Sequence, residues 1–520
     1  MEIFTTDVLI LGGGLSAYMT AYTLLKKKKK LQMMIVTPDQ GREAGHAVQG
    51  VSLPRVDRDS VEQFYQDVRA AGAYQNDPAL ARLFCEESQA VFDRIHTVTE
   101  FAQPKPGERF RPAVDKQNGL WEALYEGVQR NAEIREECVS LRLFVKEGRV
   151  QGALCYDIPG RAFFAVSAGT VVLATGGFGD LYAHQEDGGH RAIGSGVGMA
   201  YFAGAQLADL EFAWFPKKED RPQQRVVTLG GVVIDNQCRT TLPGLFAVGG
   251  GTAGVHGAGL QPGDAEMAAL VLGRRAGHTL TRMDYLPGAD PEALFSWVAE
   301  VVFVGQKNQA EEYSRIRKEI EGALESGAGA VRSQERIEAA LQKVAHLQHE
   351  LNDLDLCILP QIYEKFLLEH ALITARLALL ASLEREECRG CYQRANIRLI
   401  PVEKPEAPAQ EPEEVAEAAE EEAMAAEEEP AQEAADEEVT EDDGTEPEIL
   451  PEEEEEEEDA GEGDLPEDEE EEAAPEVPAE PEFMEEIELI EKQVKPYRVT
   501  LQLNGMILMP DKEDWSRNAE

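Results

Sequence analysis

No lysine or arginine occurs between Pro405 and Glu482, a span that holds 39 of the chain's 99 acidic residues. That stretch carries most of the formal net charge of −50, and the rest sets 60 acidic against 49 basic side chains, the balance of an ordinary mildly acidic protein. The charge therefore describes one segment. It excludes nucleic acid as a partner of this chain alone, because phosphate backbones are bound by clustered cations. Cysteine is scarce: Cys85, Cys138, Cys155, Cys238, Cys357, Cys388 and Cys391 are scattered through 520 residues. That spacing excludes a secreted disulfide framework. No run of about 20 apolar residues is evident, so no direct membrane insertion is expected. The first strand pattern begins without a charged and apolar leader, and a cytoplasmic, thiol-reducing compartment is expected.

What is present starts with Asp7-Val-Leu-Ile-Leu-Gly-Gly-Gly-Leu-Ser-Ala17. The apolar run Val8–Leu11 suits a buried strand, and a helical pattern (Tyr18, Ala21, Tyr22, Leu25) follows the glycines at once. Strand, glycine turn and helix together form the context in which G-x-G-x-x-G/A binds a dinucleotide. Gly12 permits the tight turn, Gly14 the close approach of backbone to a pyrophosphate, and Ala17 the packing of helix on strand. Gly13, Leu15 and Ser16 complete the loop, and the free N–H groups of the helix start offer an anion site. Met33–Val36 reads as the second strand. The acidic ribose partner expected about 20 residues past the glycines is replaced by Thr37, with Asp39 two further on, which disfavours NAD.

Further along, Ser60–Thr97 is helical, with Asn76-Asp-Pro supplying a cap and a proline. Residues 140–167 alternate as a hairpin or meander. Two more buried strands end in glycines, at Ala174-Thr-Gly-Gly177 and at Val248-Gly-Gly-Gly251, and a helix from about Asp264 follows. Three strand-to-glycine junctions point to a ligand longer than a mononucleotide, lying across the carboxyl ends of a parallel sheet. Residues 290–400 show apolar stripes at helical spacing, a bundle of about three helices. Residues 405–482 are Glu/Ala/Pro low complexity, too poor in apolar side chains to order themselves. At 486–520, an alternating pattern around Asn504-Gly505 predicts a hairpin that returns to the body or serves as a docking segment. The fold class is therefore α/β: a Rossmann-like domain over 1–285, with a parallel sheet plus β meander, then a helical domain, a disordered acidic linker and a short β element.

Several blocks in order carry a family resemblance: the first glycine loop, Gln49-Gly50, Asn76-Asp-Pro, Ala174-Thr-Gly-Gly177, Ala203-Gly-Ala-Gln-Leu-Ala-Asp-Leu-Glu-Phe212, Gly230-Gly231, Leu242-Pro-Gly-Leu-Phe-Ala-Val-Gly249, His256-Gly-Ala258 and Glu387-Cys-Arg-Gly390. Over residues 5–395 the chain resembles the flavoprotein subunit of succinate dehydrogenase and fumarate reductase, the fold also of L-aspartate oxidase. The resemblance implies FAD, with hydride exchange at its N5. It assigns Gly12–Ala17, Thr37, Gln49, Gly50, Ala174–Gly177, Gly249, Gly250 and His256 to cofactor binding. It also implies a partner, an iron–sulfur or other electron-transfer protein, with any membrane association peripheral and through that partner.

The departures cluster. The family's capping domain of about a hundred residues is reduced to a loop at 213–229. Its substrate-binding Arg falls on Leu260, and its His before the Gly-Gly pair falls on Val226. The His that follows Phe215 in the family is replaced by Pro216, and the acid-donating Arg of the cap has no counterpart. Dicarboxylates need bidentate cations, and reduction of a C=C needs a proton donor and a lid. Flavin contacts change too: Gly-Asp-Gly becomes Gly194-Ser-Gly196, Ala-Gly-Glu becomes Val248-Gly-Gly250, and Asn-Ser becomes Asp264-Ala265. Covalent attachment uses a His at a position that is Ala44 here, with His46 two residues away, so the FAD is expected to be non-covalent. Cys388-x-x-Cys391 lacks a second pair or a nearby His, so no metal site is expected. His184 and His190, and the cations Lys217, Lys218, Arg221 and Arg225, read as solvated loop residues. The expectation is an FAD oxidoreductase acting on something other than a small dicarboxylate, or on a partner protein. The alternatives are an assembly module without chemistry and a fumarate or succinate enzyme with a rebuilt site.

Overall fold

The computed structural model describes residues 1–28, 30–39, 50–55, 59–112, 119–182, 192–216, 226–395, 497–504 and 507–514. Expectations placed on Ala44, His46, Gln49, His184, His190, Lys217, Lys218, Arg221, Arg225, Gly505 and residues 405–482 lie outside the described residues.

Strands apolar on both faces need helices on both sides, and Val8–Leu11 and Met33–Val36 are buried in full. Glu133–Arg135, Met33–Val36, Glu2–Leu11 and Ala162–Leu173 lie side by side and parallel. Leu245–Ala247 joins in parallel at Val171–Leu173. The earlier half of Ala162–Leu173 pairs antiparallel with Arg149–Asp157, which pairs with Cys138–Lys146. This is the expected parallel sheet with a meander on one flank.

The first helix, Leu15–Lys27, packs on Asp264–Thr281. Two glycines on the second helix permit the approach: a Cβ at Gly273 would lie 2.6 Å from the Ser16 carbonyl oxygen, and one at Gly277 would lie 2.6 Å from Thr23 Cβ. The stretch that the sequence marks as helical from 60 to 97 is two helices, Val61–Ala71 and Pro78–Ile95. Asp77 caps the second as expected, accepting from the Ala79 N–H at 2.9 Å and the Leu80 N–H at 3.2 Å.

In the helical region, Ala310–Ala328, Gln334–Asp353 and Ile362–Glu384 pack on one another, and a shorter helix, Pro291–Val301, packs on the sheet. Here the structure departs from the sequence expectation. The segment Leu359–Glu384 is long and apolar enough to cross a bilayer by length and composition, although no such stretch is evident as an apolar run. Most of it is packed inside the protein, as suits the centre of a bundle.

The hairpin at 497–514 forms with Asn504 opposite Ile507. Its first strand, Tyr497–Asn504, pairs antiparallel with Leu207–Ala208, which in turn pairs with Gly231–Val232. The β element thus returns to the body, one of the two expected outcomes.

Candidate functional site

The three glycine junctions meet. They follow the carboxyl ends of three neighbouring parallel strands, Glu2–Leu11, Ala162–Leu173 and Leu245–Ala247. The Ala174 N–H donates to the Leu11 carbonyl at 2.8 Å and the Val248 N–H to the Leu173 carbonyl at 2.9 Å, so each turn is tied to its neighbour. Gly12 has φ 115°, and a Cβ there would overlap the Ala174 carbonyl. A Cβ at Gly249 would lie 2.5 Å from Ser16 Oγ. A Cβ at Gly14 or Gly176, by contrast, would meet no atom of the described residues within 4 Å, so among these the backbone there borders open space.

The first helix starts beside that space without a side-chain cap. Its leading N–H groups are therefore free to meet an anion. Ala17 is fully buried, as close packing of helix on strand requires, and Leu15 is half-buried. Thr37 is buried beneath Gly13, and its Oγ accepts from the Asp39 N–H at 3.3 Å. Trp121, which carries no local sequence signal, donates from Nε1 to the Gly13 carbonyl at 2.8 Å. It stacks on Tyr125 and meets Tyr18 edge-on, fixing the loop from behind.

At the second junction Thr175 lies against Gly196, the start of the helix Ser195–Ala203. Thr228 Oγ accepts from the Phe178 N–H at 3.1 Å and sits where a Gly177 side chain would be. A Cβ at Gly177 would also lie 2.9 Å from the Gly250 carbonyl, which brings the second and third turns together.

His256 is half-buried edge-on to Phe84, its Nδ1 is buried with no hydrogen-bond partner among the described residues, and desolvation pulls its pKa down to about 4. The imidazole is therefore neutral at pH 7. Beside it, Asn76 Nδ2 donates to the Val255 carbonyl at 2.8 Å, and Gln75 Nε2 is buried without a partner among the described residues. Buried polar atoms rarely stay unpaired, and two such donor or acceptor atoms would suit a polar ligand edge. Gly50 pairs with Pro112 on a short strand whose Ser52 reaches Asp264 at the start of the helix Asp264–Thr281.

Leu260, where the resemblance places the family's substrate-binding Arg, lies in an apolar patch. It packs with Phe212, Val227, Leu229, Ala258 and Tyr392, with Trp214 and Cys391 at the margin. Val226 is packed against the main core. Beneath the patch, Arg385 bridges Glu211 and Glu387, and Arg389 reaches Glu387 at 2.7 Å. Burial raises the Glu211 carboxyl despite its Arg385 partner.

The Cys391 N–H donates to the Ala258 carbonyl at 2.7 Å, and burial pushes its thiol up to about 12. Cys388 Sγ instead engages the Arg394 backbone. Neither cysteine forms a disulfide, and among the described residues no group of three or more His, Cys, Asp or Glu side chains could hold a metal.

The profile of the FAD binding domain family matches residues 7–224 and 216–264, and that of the fumarate reductase flavoprotein C-terminal domain matches residues 317–400. The first match breaks within the shortened loop at 213–229. The chain is 25% identical to the A-type polypeptide of fumarate reductase (CoM/CoB) from Methanothermobacter marburgensis, across 78% of this chain and 96% of that protein. It is 30% identical to the L-aspartate oxidase of Halobacterium salinarum, across 41% of this chain and 45% of the oxidase. In fold it is similar to an Escherichia coli quinol fumarate reductase FrdA chain, with a TM-score of 0.64 at 19% identity, covering 79% of this chain and 94% of that one. The adenylylsulfate reductase of Archaeoglobus fulgidus superposes with a TM-score of 0.60 at 16% identity, covering 78% and 92%.

Proposed function

The chain belongs to the flavoprotein family of succinate dehydrogenase, fumarate reductase and L-aspartate oxidase and is an FAD-dependent oxidoreductase; from that premise we propose that it passes electrons between non-covalently held FAD and a substrate that is not a small dicarboxylate, or a partner protein. The observation that carries this reading is Leu260 in its apolar patch. A diacid brings two charges, and leaving either unpaired against buried carbon costs several kcal/mol, on the order of what binding would return.

The residues fit FAD. Gly12–Ala17 would meet the pyrophosphate with backbone N–H groups at the uncapped helix start, where Gly14 leaves room. Ala174–Gly177, Gly249 and Gly250 would flank the extended cofactor, and neutral His256 would offer Nδ1 to its polar edge. Thr37 would support Gly13 from below, and Gly50 would border the ring side. FAD supplies hydride or single-electron transfer when bound. The protein's share is to hold it, orient it and exclude water, which the apolar patch would do on one side. An electron-transfer protein, iron–sulfur or otherwise, is the proposed partner, since the Methanothermobacter relative is by name one subunit of its reductase.

The test is anaerobic. Purified protein should show a flavin spectrum, release its flavin to the supernatant on acid precipitation, and bleach on photoreduction. Added fumarate should leave the flavin reduced. Prompt reoxidation by fumarate would overturn the reading, and a colourless protein that takes up no added FAD would favour an assembly role.

A further inference from the structure

The start of the helix Asp264–Thr281 carries charge of the sign least suited to a flavin that gains electrons. Its cap position, Gly263, has φ 84° and contributes no side chain, and the first turn holds Asp264 and Glu266. The helix packs against the turn Gly249–Gly251 and the short strand Gly50–Ser52, so its first turn stands between two parts of the proposed cradle. The two carboxylates differ in their company. Asp264 is buried and satisfied: Ser52 Oγ donates to one oxygen at 2.5 Å and the Gln261 N–H to the other at 2.8 Å. Glu266 is half-buried, crowded by protein yet still reached by solvent, as a side chain on a cleft wall would be. Among the described residues, no cation and no side-chain donor meets its carboxylate, which receives only its own backbone N–H.

We propose that Glu266, backed by Asp264, lowers the reduction potential of the bound flavin and ties its reduction to uptake of an extra proton. The inference rests on the FAD-binding reading of this cleft. Oxidised flavin that takes two electrons and one proton becomes an anion. A carboxylate fixed nearby repels that charge in a low-dielectric setting, so reduction is disfavoured. The repulsion is relieved when Glu266 takes up a proton, so the complex gains two electrons and two protons in all, the electrons coming from whichever reductant is supplied. Burial and the Asp264 charge already hold the Glu266 carboxyl near 7, within reach of such a proton. The other groups facing the pair do not supply a compensating charge. From the helix Pro78–Ile95, Cys85 is neutral, its thiol raised by burial. Arg109 acts on Asp264 from a distance while bound to Asp59 and Asp67. Ser52 is neutral, and so is His256.

The test is an anaerobic dithionite titration of the full-length FAD-loaded protein with reference dyes, over about pH 5.5 to 8.5, for the native chain and Glu266→Gln. Above about pH 7, where the Glu266 carboxyl is ionised beside oxidised flavin, the potential of the native protein should fall about twice as steeply with pH as that of the variant, two protons against one per electron pair. At about pH 8 the variant should sit higher by at least a tenfold shift in the reduced-to-oxidised ratio, or ~30 mV for a two-electron couple. Bound FAD with the same potential and slope in both proteins would overturn the inference and leave the cofactor assignment standing. Failure of the native protein to take up FAD would overturn both.

Discussion

Arg385 donates from Nε to Glu211 Oε1 at 2.8 Å, and both side chains are sealed from solvent. The pair joins the end of the last long helix to the Asp209–Phe212 turn, which carries the apolar patch. The guanidinium also lies over the Phe212 ring at 4.5 Å. Removing one partner leaves a buried charge alone, which typically costs about 3–5 kcal/mol. Arg385→Met should therefore lower the urea midpoint sharply. The double variant Arg385→Met/Glu211→Gln should recover much of the loss, because no stranded carboxylate remains. Equal destabilisation by the single and double variants would show that the pair is not the cause.

Gly12 and Gly14 should respond oppositely to a methyl group. Gly12→Ala puts a Cβ into the Ala174 carbonyl at φ 115°, so the apoprotein should lose stability. Gly14 has extended backbone, and a Cβ there would meet no atom of the described residues within 4 Å, so Gly14→Ala should change apoprotein stability by less than about 1 kcal/mol. Its FAD affinity should nonetheless fall at least tenfold, about 1.4 kcal/mol, because the methyl occupies the pyrophosphate's approach. Flavin fluorescence titration of both variants, beside thermal melts, checks the contrast.

Trp121→Phe keeps the aromatic stack and removes the donor to the Gly13 carbonyl. A buried acceptor left unpaired costs about 1–3 kcal/mol. The expected outcome is a loss of that size in denaturant unfolding, with weaker FAD binding because the loop is released. Unchanged FAD affinity would show that the loop holds its shape without this bond.

Glu266 and Asp264 also set a pH trend in stability. Burial raises their carboxyls to about 7 and about 6 in the folded protein. The folded state therefore binds protons that the unfolded chain has released, and stability falls as pH rises through about 4 to 7. The penalty is complete above that window. Glu266→Gln apoprotein should match the native chain near the acid end and exceed it by ~1 kcal/mol at about pH 8, a figure discounted for partial exposure. Urea midpoints across pH check this; the opposite trend from half-buried His256 is common to both proteins and cancels.

Much of the cradle is legible in the sequence because its demands are local. A turn that admits no side chain shows as glycine, a buried parallel strand as an unbroken apolar run, and a capped helix as Asn76-Asp77-Pro78. The apolar character of Leu260, where the family resemblance expects an arginine, is also legible. What escapes is non-local. Trp121 reaches Gly13 across 108 positions, and nothing near either residue predicts it. Arg385 and Glu211 are two unremarkable charges 174 positions apart until the fold buries them together. The length and apolarity of Leu359–Glu384 are masked in the sequence because polar residues interrupt its stripes. The hairpin at 497–514 announces itself by alternation, but its berth on Leu207–Ala208 does not, because backbone pairing is indifferent to side-chain identity.

That berth has a kinetic corollary. Leu501 pairs with Leu207, 294 positions earlier, so the contact closes the longest loop among the described strand pairs. The entropy of closing so long a loop grows only slowly with its length, but the search for it is late by construction. On a ribosome, the sheet, the glycine turns and the helical bundle are all synthesised before the hairpin emerges. The nascent body must therefore stand with Leu207–Ala208 uncovered for the time it takes to translate the intervening residues, which makes that edge the place where a chaperone or a neighbouring nascent chain would first take hold.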